Sequence, residues 1–167
     1  MSRFMDDFTW AEMHTVDDIN IIRRIYPDAR AVTKNVTLGN DNGIDYVVTD
    51  RNGNTINIDV KRRRPGVSRH WADRNDPELT LETARSTGNP GFILNDDKLT
   101  DLYLFIFDEC DSKDFFYMQA DWLRKTFKGH QEEWEQYKHC LYRPDYWSEF
   151  YCIPVSVLRK VAEEYAS

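Results

Sequence analysis

The sequence predicts an α/β or α+β protein with one central mixed β-sheet flanked by helices. A segment with helical periodicity comes first, short strand-like segments follow, and helices and strands then alternate. The run LYLFIF at 102–107 is apolar at every position, which is typical of a strand buried on both faces. A chain of 167 residues suits a single domain.

Each element has a local signal. The first helix is expected over 16–26, where Thr15 and the acid three residues later resemble an N-cap and Pro27 ends the pattern. The final helix, 155–165, starts beside a proline. Strands are expected at 31–34, 44–49, 55–61, 79–83, 102–107, 115–119 and 149–153, and helical segments at 120–127 and 132–137.

Composition excludes several classes of protein. No apolar run approaches the roughly 18 residues that span a bilayer, and the acidic start is unlike a signal peptide, so we expect a cytoplasmic protein without a membrane partner. Three cysteines at unrelated spacings indicate neither a disulfide framework nor a zinc cluster. The net charge is −7, yet residues 61–74 hold six Lys or Arg against one Asp. This strip could contact a phosphate backbone, and the alternative is a solvated loop.

The stretch GIDYVVTDRNGNTINIDVK at 43–61 is typical of a β-hairpin with an Asn-Gly turn at 52–53. A two-residue turn would place Asp45 opposite Val60, among apolar side chains. A three-residue loop with the glycine in the left-handed region places Asp45 opposite Asp59 instead. The second register separates polar from apolar side chains almost completely, so it is the one we predict.

Two carboxylates that face each other across a hairpin repel, so their placement calls for a compensating cation. Mg²⁺ and Mn²⁺ accept such hard oxygen ligands, usually together with waters and substrate phosphates. Lys61 follows Asp59 by two residues and lies on the same face, where it could act on a water at the metal. The pattern favours hydrolysis of a phosphodiester, with Asp45 as the second metal ligand. The alternative is an exposed hairpin face on which the lysine forms a salt bridge.

Gly-Ile-Asp, a strand and turn, and then Asp-Val-Lys, with a helix before and a strand after, resemble the PD-(D/E)XK nuclease superfamily, which has the restriction-endonuclease-like fold. The resemblance covers about residues 16–107, and 108–167 would be a C-terminal extension of the same domain. It implies that Asp45 and Asp59 bind catalytic Mg²⁺ or Mn²⁺ and that Lys61 serves the attacking water.

Two further metal ligands are candidates. Many members of this superfamily add an acid from the first helix, and among Glu12, Asp17 and Asp18 the helix geometry favours Asp18. Helix capping is its alternative role. Glu82, in the strand-like LTLET, is the other candidate, and a surface position on a strand is the alternative there.

The expected function is therefore Mg²⁺-dependent hydrolysis of DNA, with RNA as another substrate and a setting in phages or mobile elements. A nick or a double-strand break would result according to the oligomeric state, a homodimer being one option. One alternative is a catalytically silent module of this fold that binds nucleic acid or a protein partner, and another is a purely protein-binding domain. The basic residues expected to hold the DNA backbone are Arg62, Arg63, Arg64, Arg69 and Arg74.

For two other groups of residues, a structural role is favoured over a functional one. His130, His139 and Cys140 lack the spacing of a zinc site and are expected at solvated helix positions. The aromatic side chains between 134 and 151 could stack on bases, but closure of the core over a sheet edge is the favoured interpretation.

Overall fold

The computed structural model describes residues 13–36, 42–63, 76–107 and 115–166. Helix α1 spans Thr15–Ile25, close to its expected bounds. The expectation that Thr15 caps this helix is wrong, because Thr15 is its first residue and His14 is the N-cap. The Thr15 hydroxyl instead accepts a hydrogen bond of 2.8 Å from Lys34 Nζ.

Eight strands form two sheets in the described part of the chain. The larger sheet has five strands in the order β1-β2-β3-β5-β6, in which β3 and β5 are parallel and the other pairs are antiparallel. The smaller sheet is antiparallel, with the order β4-β8-β7. The strands are β1 (Ala31–Lys34), β2 (Tyr46–Thr49), β3 (Thr55–Arg63), β4 (Glu78–Arg85), β5 (Leu102–Phe107), β6 (Phe115–Gln119), β7 (Lys138–Arg143) and β8 (Tyr146–Pro154).

The mixed α/β class is confirmed, but the expectation of a single sheet is wrong. Strand β7 was not expected as a strand and includes His139 and Cys140, which were expected at helix positions, and β8 is longer than expected. Together with β4 these strands complete a separate sheet. Because β8 pairs with β4, the C-terminal part of the chain is joined to the part that was expected to form the nuclease-like core.

The predicted register of the β2–β3 hairpin is confirmed. Tyr46 pairs with Ile58, and Thr49 pairs with Thr55, as the three-residue loop requires. Gly53 has φ of 87°, in the left-handed region that suits glycine. One face of this hairpin is therefore apolar and the other carries the predicted site residues.

The two faces of the larger sheet contact different cores. On one side lies the α1 core, in which Ile21 and Ile22 pack on alternate side chains of β2, β3 and β5. On the other side lies the main core, which the larger sheet shares with the smaller sheet and with helices α2 (Ala120–His130) and α3 (Val155–Ala166). A 3₁₀ helix, Glu133–Tyr137, follows α2. No helix in the described ranges has both the length and the apolar character needed to cross a membrane.

Candidate active site

Strand β3 places Asp59 and Lys61 on one face, because side chains two residues apart in a strand point the same way. Lys61 Nζ lies 2.6 Å from Asp59 Oδ1. Asp59 is 2% exposed, whereas the Lys61 side chain is 32% exposed and its ammonium lies 4.6 Å from the centroid of the Phe92 ring. The carboxylate is thus buried at the base of the site, and the lysine forms the part that solvent can reach.

Asp45 joins this pair from the residue just before β2. Its backbone N–H donates to the Ile58 carbonyl over 2.9 Å, and its Oδ2 accepts a bond of 2.8 Å from the Val60 N–H. Burial and, after it, the neighbouring Asp59 raise the pKa of Asp45 to about 6, although Lys61 and the hydrogen bond from the Val60 N–H act to lower it. The two carboxyl groups are therefore close enough to perturb each other, as the predicted register requires.

The charge of Lys61 is maintained by these acids. Burial acts to lower the pKa of Lys61, but the Asp59 carboxylate and then Asp45 raise it above its ordinary value. The side chain is consequently a cation at neutral pH. In this form Lys61 can donate hydrogen bonds and supply positive charge. It cannot accept a proton, because an ammonium group has no free electron pair.

The donor set suits a hard divalent cation. Asp59 Oδ2 is buried and receives no hydrogen bond among the described residues, so one carboxylate oxygen remains available next to Asp45. The described ranges hold no group of three or more His, Cys, Asp or Glu side chains arranged for a metal ion. Within the described ranges the site therefore offers two carboxylates, and water and substrate oxygens would supply the other ligands, as is common for Mg²⁺.

Gly43 keeps space open above Asp59. Its φ is 71°, and a Cβ at this position would lie 3.3 Å from Asp59 Oδ2 and 2.9 Å from both Thr100 Oγ1 and Lys98 Cδ. The Thr100 hydroxyl donates a bond of 2.7 Å to the Gly43 carbonyl, which fixes the loop against the start of β5. A glycine is thus required here both by the backbone conformation and by the crowding.

We expect Gly43→Ala to lower the free energy of unfolding by about 2 kcal/mol, since a left-handed alanine costs about 1 kcal/mol and crowding adds a similar amount. Gly88→Ala is the matched control, because Gly88 has φ of 80° but no atom within 4 Å of the added Cβ. Urea denaturation of both variants separates the two effects. Equal losses would show that the space above Asp59 is not crowded.

Asp18 is engaged by two partners on the α1 side of the sheet. Its Oδ1 accepts a bond of 2.6 Å from a terminal nitrogen of Arg62, and its Oδ2 accepts one of 2.9 Å from the Tyr46 hydroxyl. The side chain of Arg62 is 4% exposed. The geometry therefore gives Asp18 a buried ion pair in place of helix capping, and it turns Arg62 inward and not toward solvent.

Glu82 is not brought to the carboxylate pair. It lies on the face of β4 opposite Leu79 and Leu81, which belong to the main core. Arg85 pairs with its Oε2 at 2.7 Å, and the Tyr146 hydroxyl donates to its Oε1 at 3.1 Å. This placement does not support its expected role as a metal ligand.

The other predicted contacts to DNA fall on side chains outside the part of the chain that the structure describes. Arg64, Arg69 and Arg74 lie outside the described residues, as does the side chain of Arg63. Glu12, a weaker candidate for the helix acid, also lies outside them. Among the predicted arginines the structure therefore positions only the side chain of Arg62.

The other histidines and aromatics have structural partners. His130 stacks on Trp134 with 5.2 Å between ring centroids, and His139 stacks on Phe150 at 5.9 Å. The helix expected at His139 and Cys140 is wrong, because both residues lie in β7. Trp134 and Tyr151 are buried in the main core, which confirms core closure for these two aromatics.

Sequence patterns assigned no role in the site to three residues that lie next to it. Phe92 and Thr100 approach it from the segment before β5, and Tyr103 pairs with Asp59 across the parallel strands. The Gly-Ile-Asp motif was a signal for Gly43, but no local pattern marks the others. Their position depends on the pairing of β3 with β5.

Comparisons with protein-family models, with curated proteins and with solved structures found no match to this chain. The resemblance to the PD-(D/E)XK superfamily therefore depends on the motif and on the geometry described above.

Proposed function

We propose that this protein is a Mg²⁺- or Mn²⁺-dependent nuclease with a restriction-endonuclease-like fold that hydrolyses phosphodiester bonds of DNA. The observation that supports it best is the cluster of Asp45, Asp59 and Lys61, in which one oxygen of the buried Asp59 has no hydrogen-bond partner among the described residues. An acid pair of this kind destabilises the fold unless a cation offsets it. The presence of such a destabilising pair is explained if the two acids bind a metal for catalysis.

The residues would divide the chemistry among them. Asp45 and Asp59 would hold the cation, which when bound polarises the phosphate and acidifies a water. Lys61, a cation at the mouth of the site, would donate a hydrogen bond to the attacking water or to a phosphate oxygen as negative charge develops. The Phe92 ring beneath its ammonium restricts where that donor can point.

A salt-bridged surface hairpin explains these residues less well. A surface pair of Lys and Asp contributes about 0 to 1 kcal/mol and needs no burial. Here Asp59 is 2% exposed and a second acid approaches it, so the arrangement opposes stability more than a single exposed pair would. Selection for a bound cation and substrate gives a reason for this placement.

The test is plasmid cleavage in the presence of Mg²⁺ or Mn²⁺, with EDTA as the metal-free arm. We expect nicked or linear DNA only with metal, and none from Asp59→Asn. Asp96→Asn is the control, because this acid is exposed and pairs with Lys128 away from the proposed site. Parallel cleavage of an RNA with the same sequence determines whether the substrate is DNA or RNA. Wild-type protein that leaves both nucleic acids intact while calorimetry detects no Mn²⁺ binding would refute the nuclease.

One observation favours the alternative of a catalytically silent module with this fold. The direct ion pair between Lys61 and Asp59, at 2.6 Å, compensates one carboxylate without any metal. Such a module would bind nucleic acid or a protein partner equally well in EDTA and would cleave nothing. Binding and cleavage measured side by side with and without metal distinguish the two functions.

A further inference from the structure

Arg124 is a buried cation of α2 whose ion pairing is weak. The residue is 6% exposed, and its Nε has no hydrogen-bond partner among the described residues. Its terminal nitrogen Nη1 lies 3.5 Å from Asp121 Oδ1, but the Asp121 side chain is 99% exposed, so solvent screens this pair. A buried charge that is compensated so weakly opposes stability. The position of Arg124 therefore calls for a role other than stabilisation by an ion pair.

The shortest hydrogen bond of Arg124 is made to a neutral group. Its Nη2 donates 2.9 Å to the Tyr103 hydroxyl, and this hydroxyl donates 3.3 Å to the backbone carbonyl of Phe92. Chemistry fixes the direction of both bonds, because a guanidinium group can only donate and a carbonyl can only accept. Arg124, Tyr103 and Phe92 are all buried, and we call them the buried network.

The buried network ends at the proposed active site. The Phe92 ring is tilted against the Tyr103 ring, with 5.1 Å between their centroids, and the Lys61 ammonium lies 4.6 Å from the Phe92 centroid. Tyr103 is also the register partner of Asp59 in the parallel pairing of β3 with β5. Partners in register project from the same face of a sheet. The network therefore borders both the ammonium and the buried carboxylate of the site.

Lys61 is a side chain that needs such support. It is long and 32% exposed, and a lysine side chain has much conformational freedom to lose. Asp59 holds its ammonium by one ion pair of 2.6 Å, and the Phe92 ring limits its movement from another direction. A reacting group is held in its productive geometry when the neighbours it contacts are themselves fixed by packing and hydrogen bonds. The buried network fixes Phe92 in this way.

We propose that Arg124 is a positioning residue, which acts through Tyr103 and Phe92 to fix the Lys61 ammonium for the cleavage reaction. The inference rests on the proposed nuclease function and adds to it a residue from the C-terminal region, 108–167, which the sequence motif left without a role. Among the described residues the polar partners of Arg124 are Tyr103 and Asp121, so its effect on Lys61 is transmitted by the network.

The first test observes the Lys61 ammonium by NMR in metal-free protein labelled with ¹⁵N-lysine. The ring current of Phe92 should shift the Nζ protons of Lys61 upfield, and Lys61→Met identifies their signal. In Arg124→Gln and in Tyr103→Phe the signal should move toward that of an ordinary lysine, because the ring is no longer fixed. Tyr103→Phe keeps the aromatic ring, so it tests the hydrogen bonds even where Arg124→Gln fails to fold.

Two controls separate positioning from a general loss of stability. Lys125→Gln removes an exposed charge at the next position of α2, and Val161→Ala removes buried volume from α3 in the main core. Both should leave the Lys61 signal in place, although the second lowers the temperature of unfolding. A Lys61 signal that stays in place in Arg124→Gln and Tyr103→Phe, or that moves as far in Val161→Ala, would overturn the proposal.

The second test compares the rate of single-turnover cleavage in Mg²⁺ with the affinity for DNA in EDTA. Arg124→Gln and Tyr103→Phe should cleave up to about 100-fold more slowly, the cost of a displacement of about 1 Å, and should bind DNA as wild type does. The double variant should be no slower than the slower single variant, because both changes break one network.

The outcomes distinguish this inference from the nuclease itself. A displaced Lys61 signal in variants that cleave at the wild-type rate would refute the positioning role and leave the nuclease intact. Wild-type protein that cleaves no nucleic acid would refute the nuclease, and with it any role of Arg124 in cleavage. The NMR signal would still decide whether the buried network holds Lys61 in place.

Discussion

Replacing Lys61 by methionine is expected to lower the rate of DNA cleavage by about 100- to 1,000-fold, the usual cost of losing one charged or hydrogen-bonding group that acts on the transition state. Methionine keeps an unbranched side chain against the Phe92 ring but removes the ammonium that pairs with Asp59. The loss should be in the rate of the chemical step, because the proposed donor acts on charge that develops there. Single-turnover cleavage with saturating Mg²⁺ measures that step.

The interpretation of this variant needs a control for charge and a control for folding. Lys128→Met removes a lysine that pairs with Asp96 at 2.8 Å, outside the site, and it should cleave at the wild-type rate. Thermal unfolding of Lys61→Met should be followed with and without Mn²⁺, because loss of the ammonium leaves Asp59 without its ion-pair partner. A folded Lys61→Met that cleaves as fast as wild type would remove this lysine from the mechanism.

Replacing Asp45 by asparagine is expected to stabilise the metal-free protein at pH 7.5 by up to about 3 kcal/mol, the free energy that corresponds to a pKa of about 6 against the ordinary 3.8. Burial and the neighbouring Asp59 disfavour the ionised form, and an amide carries no charge to disfavour. Asparagine can still accept the hydrogen bond from the Val60 N–H.

The dependence on pH follows from the direction of this shift. Between about pH 4 and 6 the folded protein holds a proton on Asp45 that the unfolded chain has released, so the wild-type free energy of unfolding falls as pH rises through this window. Below it, both states are protonated and the penalty is absent. The stabilisation by Asp45→Asn should therefore be small at pH 4 and reach its full value above pH 6.

Urea denaturation in EDTA at several pH values measures this difference directly. Asp97→Asn is a suitable control, because Asp97 is an exposed acid in the loop before β5. Adding Mn²⁺ at pH 7.5 should reverse the order of stability, since the cation stabilises wild type but loses a ligand in the variant. A stability difference that is the same at pH 4 and pH 7.5 would contradict the proposed burial of Asp45 beside Asp59.

The hairpin shows how much of the site local sequence can predict. Alternation of apolar and polar residues, together with the Asn-Gly turn, is enough to select the three-residue loop and its register. The same local signals locate the buried strand at 102–107 and the antiparallel strand at 115–119 that pairs with it. These features depend on residues that are close in sequence or on continuous apolar runs, so they can be predicted from the sequence.

Secondary structure was predicted less accurately for segments in which apolar and polar residues do not alternate clearly. Strand β7 has a burial pattern without clear alternation, and its partner β8 lies across a tight turn that contains Pro144. Nothing within either segment indicates that β8 also pairs with β4, some 70 residues earlier. The second sheet therefore could not be derived from local periodicity.

The sequence by itself determined that Asp45, Asp59 and Lys61 belong to one hairpin and that the two carboxylates approach each other. Only the tertiary structure decided that Asp59 is buried with one oxygen that has no hydrogen-bond partner among the described residues, and that Asp18 is bound to Arg62, a residue 44 positions away. The physical reason is that register is set by short-range alternation. Burial and ion pairing depend on which distant segments pack against that hairpin, and this is settled by the free energy of the whole fold.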